Sequence, residues 1–301
     1  IIAGITDLTT EADAAESQKD SYGKLQFFSD FSIAPSYLIQ GTIDNSIPAW
    51  MNEDGTLNEN AVKEYLEQVN RIWQTQKNAI EETKKAYQMG DDWADSDHSG
   101  YMDISGSVTS LLAKVDTVAA GGLLSPEGLV SLDSARKVDP DLDYKLLNGQ
   151  SENCFYPRSA VGVSAKASEK EAAEKFVKFL FEEESQRASN TEGLAVNSKV
   201  YEDMAYWKMG KSSGDTIGSI GTSYDTGDGN IKQLEMDEII PEDEAIQNIM
   251  DLGKTLTVPA KSNQIIRNAV TESGEKYLNG ETGLDDAVKE IMQEVNLYLS
   301  E

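Results

Sequence analysis

The sequence predicts an α/β fold in which helices outnumber strands, and three observations carry the prediction. Apolar residues recur at helical spacing: Val62, Tyr65, Leu66, Val69, Ile72 and Trp73 share one face after a turn and helix cap at Asn52–Asn60. Leu284, Ala287, Val288, Ile291, Met292, Val295 and Leu299 form another amphipathic stripe. Second, two short apolar strands, Tyr144–Leu147 and Ala160–Val163, are followed by helices before Lys199, so both element types are present. Third, 301 residues suffice for two domains or one large one.

The segment from Tyr144 to Lys199 organises the rest. A strand at Tyr144–Leu147 leads into a turn holding Asn148, Gly149 and Asn153. Phe155, Tyr156 and Pro157 follow, then a strand at Ala160–Val163. Ser168 and Glu171 have the spacing of a capping box, each able to satisfy a backbone N–H at the start of a helix. In that helix Ala172, Ala173, Phe176, Val177 and Leu180 fall on one side, and Asn197 caps another helix after Glu192-Gly193.

The flanks read more plainly. Residues 1–24 are polar after a brief apolar start, and Gln26–Gln40 is apolar, aromatic and expected to be buried. An acidic loop at Met89–Gly100 precedes a strand at Tyr101–Ser105, and Gly106-Ser107 starts a helix to about Ala120. Residues 121–143 read as loop with a short helix at Leu129–Ala135. A helix is expected at Ser198–Met209, with Trp207 in the core, and a flexible region at Gly210–Asn230. Helices at Glu242–Leu256, Asn263–Leu278 and Leu284–Leu299 complete the chain, which shows no internal repeat.

Composition narrows the function. Lys plus Arg number 26 against 53 Asp plus Glu, a formal charge of −27. Such a surface repels nucleic acid and anionic membrane and favours solubility. Cys154 stands alone, which excludes an internal disulfide, a multi-cysteine zinc site and a CxxC redox pair. No apolar run reaches the length of about eighteen residues that a spanning helix needs. The opening residues lack the basic region, apolar core and cleavage site of a signal peptide.

Several stretches also carry a resemblance. GVSAK (Gly162–Lys166), EAAEKFVKFLF (Glu171–Phe181) and GLAVN (Gly193–Asn197) follow one another in order. MDISGS (Met102–Ser107) stands ahead of them, and YLNGET with DDAVKEIMQEVNLYLSE closes the chain. Together they resemble extracellular solute-binding proteins of family 1, the maltose-binding-protein-like group that serves ATP-driven importers. One departure is Val108, where the family usually has a tryptophan after the MDISG glycine, and this weakens sugar stacking at that loop.

The resemblance implies a helix-rich, periplasmic-binding-protein-like fold of type II, represented mainly by its second lobe with part of the first. Residues 1–164 would be the first part of the second lobe, 165–205 first-lobe-type or hinge-adjacent helices, and 206–301 the second lobe's C-terminal helices. The family begins with a strand–helix–strand lobe that carries half of the ligand site, and no equivalent is visible before residue 25. Residues Ala165–Asp203 would normally pack on that lobe. The implied function is capture of an extracellular solute, a sugar or oligosaccharide, for a membrane permease, by binding without catalysis and without a cofactor. Full-length protein would carry an export signal and a lipid anchor at the cell surface.

Catalytic patterns are scarce. His98 is the one histidine, and no G-x-S-x-G elbow, P-loop, G-x-G-x-x-G or H-E-x-x-H occurs. Carboxylates are so many that a chance pair says nothing about glycoside hydrolysis. Asp95, Asp97, Ser99 and Asp103, with Gly100 at the sixth place, follow the first nine positions of a calcium loop. Gly106 then stands where the bidentate glutamate belongs, so the string is incomplete and no metal is expected.

Binding candidates are better supported. Sugars are held by aromatic faces over their C–H surfaces and by amides, carboxylates and arginines on their hydroxyls. By resemblance, Asn153, Phe155, Tyr156 and Arg158 sit where the chain crosses between lobes; core packing and a surface ion pair are the competing accounts. Ser105 and Ser107 flank Gly106 at a helix start whose N–H groups suit either a polar ligand or plain capping. Trp50 and Trp93 are stacking candidates or core residues. Gln264, after Asn263, begins a helix that meets the cleft in the family, with capping again the alternative. Two other classes stay open, a secreted carbohydrate-active enzyme and a surface adhesion module.

Overall fold

In the structure, a computed structural model, residues 6–7, 9–10, 35–86, 108–113, 125–142, 146, 148–157, 159–188, 193–225 and 231–299 are described. Helix α1 (Pro35–Thr42) runs through a 3₁₀ turn (Ile43–Asn45) into the short α2 (Ile47–Trp50). A tight reversal follows, in which Met51 bridges Leu57 and Gly55 takes a φ of +84° that favours glycine. Asn58 then accepts the Ala61 N–H (3.2 Å), satisfying a free donor where α3 (Glu59–Ala86) begins.

Alternation at three and four residues puts Val62, Tyr65, Leu66, Val69, Ile72 and Trp73 inside, as their spacing predicts. They meet the far end of the chain. Asn263 caps α11 (Gln264–Leu278) by accepting the N–H groups of Ile265 (3.0 Å) and Ile266 (3.2 Å). Helix α12 (Leu284–Leu299) spans the range its stripe predicts and buries Ala287, Val288, Ile291 and Val295. Leu38, Ile39, Ile43, Ile47 and Trp50 complete this first core. At Gly274 the helices approach so closely that a Cβ would lie 2.9 Å from Ile39 Cδ1 and 3.1 Å from Leu66 Cδ2.

A second, smaller core gathers Leu129, Val200, Tyr206, Trp207, Ile246, Ile249 and Met250. Helix α4 (Val108–Ala113) precedes α5 (Pro126–Val138), which is longer than the predicted Leu129–Ala135. Ser125 accepts the Gly128 N–H and Pro126 fits a first-turn position. The Ser198–Met209 stretch is two helices, α8 (Ser198–Tyr201) and α9 (Met204–Trp207). Asp203 divides them, because its carboxylate accepts the Ala205 N–H (2.9 Å) and starts a new cap. Helix α10 (Asp243–Lys254) lies within the predicted range, and its salt bridge from Asp243 to Lys208 ties it to the end of α9.

Three expectations need correction. Gly210–Asn230 is not simply flexible: β2 (Thr216–Asp225) pairs antiparallel with β3 (Ile231–Ile239). Glycines at 218 and 221 hide strand-forming Thr, Ile and Tyr in β2, while Leu234 and Met236 alternate with charged residues in β3. Ala160–Val163 has no regular secondary structure and is largely exposed, with no strand assigned there. The capping box fails too, since α6 (Lys170–Leu180) begins after Glu169 with no side-chain cap. Helix α7 (Glu183–Ala188) follows it closely. The predicted strands at Tyr101–Ser105 and, save Leu146, Tyr144–Leu147 lie outside the described residues. Mixed helix and sheet, with helix dominant, is the class observed.

Candidate functional site

Three separate parts of the chain meet beside the first core. Asp7 donates its N–H to Asn148 O (3.0 Å) and accepts the Asn148 N–H at Oδ2 (2.7 Å). Asn148 Oδ1 in turn accepts the Asn153 N–H (3.2 Å). Asn153 sits in the left-handed region (φ +52°), which Asn tolerates better than most side chains, and its carbonyl accepts from Thr257 N (2.9 Å) and Val258 N (3.1 Å). That turn sends β1 (Cys154–Phe155) alongside β4 (Val258–Pro259) in parallel, and Ala260 N donates to Phe155 O (2.7 Å). A further bond, Lys261 N to Asp44 O (3.3 Å), anchors the crossing to the 3₁₀ turn.

Below this crossing lies a buried polar layer. Arg267 Nη1 stands 2.7 Å from Asp44 Oδ1, and both side chains are largely withdrawn from water. Tyr65 Oη donates to Ile39 O (3.0 Å) and shares a bond with Thr42 Oγ1 (2.8 Å), whose hydroxyl lies 2.8 Å from Leu38 O. Burial pushes the Tyr65 phenol far up, so it stays protonated as a structural donor. Burial likewise raises the Cys154 thiol, and the Asp44 charge adds to the effect. A thiol held protonated at neutral pH is a poor nucleophile. Asp44 Oδ1 makes its 2.7 Å ion-pair contact without hydrogen-bond geometry, and it, Asn45 Oδ1, Ser46 Oγ and Ser151 Oγ are buried without a hydrogen-bond partner.

Four of the predicted site residues are exposed in the structure and one is removed. Asn153 just before β1, Phe155 within it and Tyr156 just after it are exposed, with Cys154 half-buried between them and Phe155 opposite Pro259. Gln264 is exposed at the first turn of α11, five residues beyond Pro259, and its amide donates to Asn268 Oδ1 (2.7 Å). Trp50 is corrected: it is 0 % exposed, edge-on to Tyr65 at 5.1 Å, and its Nε1 donates to Gln150 Oε1 (2.5 Å). The indole that stacking would require is spent on the core. Trp93, Ser105, Ser107 and Arg158, and the calcium-loop residues Asp95, Asp97, Ser99 and Asp103, lie outside the described residues.

Sequence reasoning missed the Asp44–Arg267 pair and the β4 strand. A signal for the pair was present: Asp44 stands between Ile43 and Ile47, where an acid needs a cation to be buried. Beyond Tyr156 the chain leaves the core. Helix α6 buries no residue, and Phe176 (58 % exposed), Phe179 and Phe181 face solvent. Gln186 Nε2 bonds Leu180 O (2.9 Å) and Asn197 Nδ2 bonds Phe181 O (2.9 Å), so the segment is internally tied, with Ala173, Val177 and Leu180 half-buried and Phe176 exposed on its apolar side. Among the described residues no three His, Cys, Asp or Glu side chains converge as metal ligands. A surface hollow of about 310 Å³ at Glu59, Lys289, Met292, Gln293 and Asn296 contains none of the predicted residues.

No protein-family model matches this sequence, and comparison with curated proteins finds no match.

Proposed function

We propose that this chain acts in an extracellular solute-binding protein of the type II periplasmic-binding class, taking up a sugar or oligosaccharide for an ATP-driven importer. The observation that carries the reading is the crossing. Asp7, Asn148–Phe155 and Thr257–Lys261 are hydrogen-bonded side by side next to the first core, and the second core is built largely from residues between β1 and β4. Paired connections of this kind suit a hinge, in which a few residues absorb the rotation of two bodies about a bound molecule.

Exposed Phe155 and Tyr156 supply apolar faces for sugar C–H surfaces, and Asn153 and Gln264 supply amides for hydroxyls. The exposed Phe176, Phe179 and Phe181 support a first lobe packing against 165–205, as the resemblance implies. The permease then reads the closed form, and the solute leaves unchanged.

The test is a thermal-shift screen of sugars, oligosaccharides, peptides and polyamines, run on this chain and on the full-length gene product. A ligand at about a hundred times its Kd adds about 2.7 kcal/mol to apparent stability. Stabilisation by a saccharide that chromatography recovers intact supports the proposal. Cleaved saccharide means a secreted carbohydrate-active enzyme. No shift with the full-length protein favours an adhesion module and removes the reading.

A further inference from the structure

Residues 159–188 are held to the rest of the protein at one end. From 159 to 187 no residue is better than half-buried, although α6 and α7 are regular helices. Among the described residues, every hydrogen bond of 159–180 stays within 159–188. The ties to the rest come from α7 and the turn before it. Phe181 O accepts from Asn197 Nδ2 (2.9 Å), and Gln186 Oε1 accepts the Val196 N–H (3.0 Å). Arg187 Nη1 lies 2.6 Å from Asp203 Oδ2, while its Nη2 holds Glu183 Oε1 (2.9 Å) on its own helix. One guanidinium therefore joins α7 to the carboxylate that caps α9.

Local chemistry sustains α6. Glu171 and Glu174 precede Lys175 and Lys178 at the four-residue spacing that supports an isolated helix. At 11 residues α6 still falls short of the roughly 12–15 at which an isolated helix holds in water. A segment with so little buried surface opens at a far lower free energy than a packed core.

We propose that residues 159–188 form a latched arm, which opens and closes as a unit while both cores stay folded, with Arg187 as the latch. The arm follows Tyr156 along the chain, so it moves without disturbing the crossing or the helices beside it. Lids and binding arms are drawn from low-stability segments of this kind. The motion does not depend on the solute reading.

Hydrogen exchange of the whole chain, read by mass spectrometry, tests the arm. Amides of 170–187 are expected to exchange about a hundredfold or more faster than those at the buried positions of α3 and α12. Arg187→Gln is expected to speed exchange throughout 170–187 about twofold to fivefold and to leave α3 and α12 unchanged. High salt acts on the wild type in the same direction, because the latch is partly exposed and screened. Ala172→Gly, at an exposed position of α6, is expected to speed exchange in α6 about fivefold. The same variant leaves the urea midpoint of Trp207 fluorescence unchanged, since the arm is uncoupled from the second core. Protection of the arm equal to that of α12 overturns the proposal. So does wild-type exchange in Arg187→Gln, or a lowered midpoint in Ala172→Gly.

Discussion

Replacing Arg267 with methionine tests whether the buried ion pair holds the crossing to the first core. Arg267 Nη1 lies 2.7 Å from Asp44 Oδ1, with side-chain exposures of 22 % and 6 %. Removing one partner of a buried pair leaves an uncompensated charge and costs roughly 3–5 kcal/mol. Partial exposure of Arg267 lets water reach the site, so the lower end applies, about 3 kcal/mol. With a urea m-value of roughly 1–3 kcal/mol/M, the midpoint falls by about 1–3 M. Trp50 and Trp73 report on the first core and Trp207 on the second, so tryptophan fluorescence of single-tryptophan versions assigns the loss. The expected loss falls on the first core. Asp44→Leu with Arg267→Met removes both charges and is expected to recover most of the stability, since apolar replacement of a whole pair is often neutral. A change below about 0.5 kcal/mol in Arg267→Met, the size of an ordinary surface substitution, would refute the reasoning. So would a double variant no better than the single one.

Three further outcomes follow from the same geometry. Gly253→Ala places a Cβ 2.1 Å from Tyr201 Oη, which donates to Met250 O (2.7 Å), so about 1–3 kcal/mol is lost in thermal unfolding. Tyr201→Phe added to it is expected to return part of the loss, because the hydroxyl is the nearest atom. The Asp203 carboxyl is held below its usual range by the Ala205 N–H first and by Arg187 (2.6 Å) second. Its contribution is therefore fully present above the ordinary carboxylate pKa and lost as pH falls through the depressed one; Asp203→Ala flattens that acid limb in pH-dependent melts. Cys154 is expected to react with a disulfide reagent more slowly than free cysteine at pH 7, and to accelerate up to and beyond the normal thiol range; a rate already at its plateau near pH 8 would contradict this.

Much of the helical architecture was legible because helix signals are local. The stripe on α12 marked its bounds, Asn197 and Asn263 announced their caps, and Trp207 was rightly placed in the core. The hairpin was not legible, because Gly218 and Gly221 broke the period-two pattern that marks a strand. Ser168 and Glu171 had the right spacing for a capping box, yet the helix entered one residue later; local chemistry offered an option that the backbone did not take.

For the site the division is sharper. Composition and spacing alone determined that the chain is acidic, that Cys154 has no cysteine partner, and that Asn153, Phe155 and Tyr156 travel together. Only tertiary structure decided that Trp50 is core and that Asp44 is buried beside Arg267, more than two hundred residues away. It also decided which apolar faces are buried among the described residues: those of α3 and α12 are, and no residue of α6 is. Periodicity shows that a face is apolar, but whether water leaves it depends on what the rest of the chain brings against it.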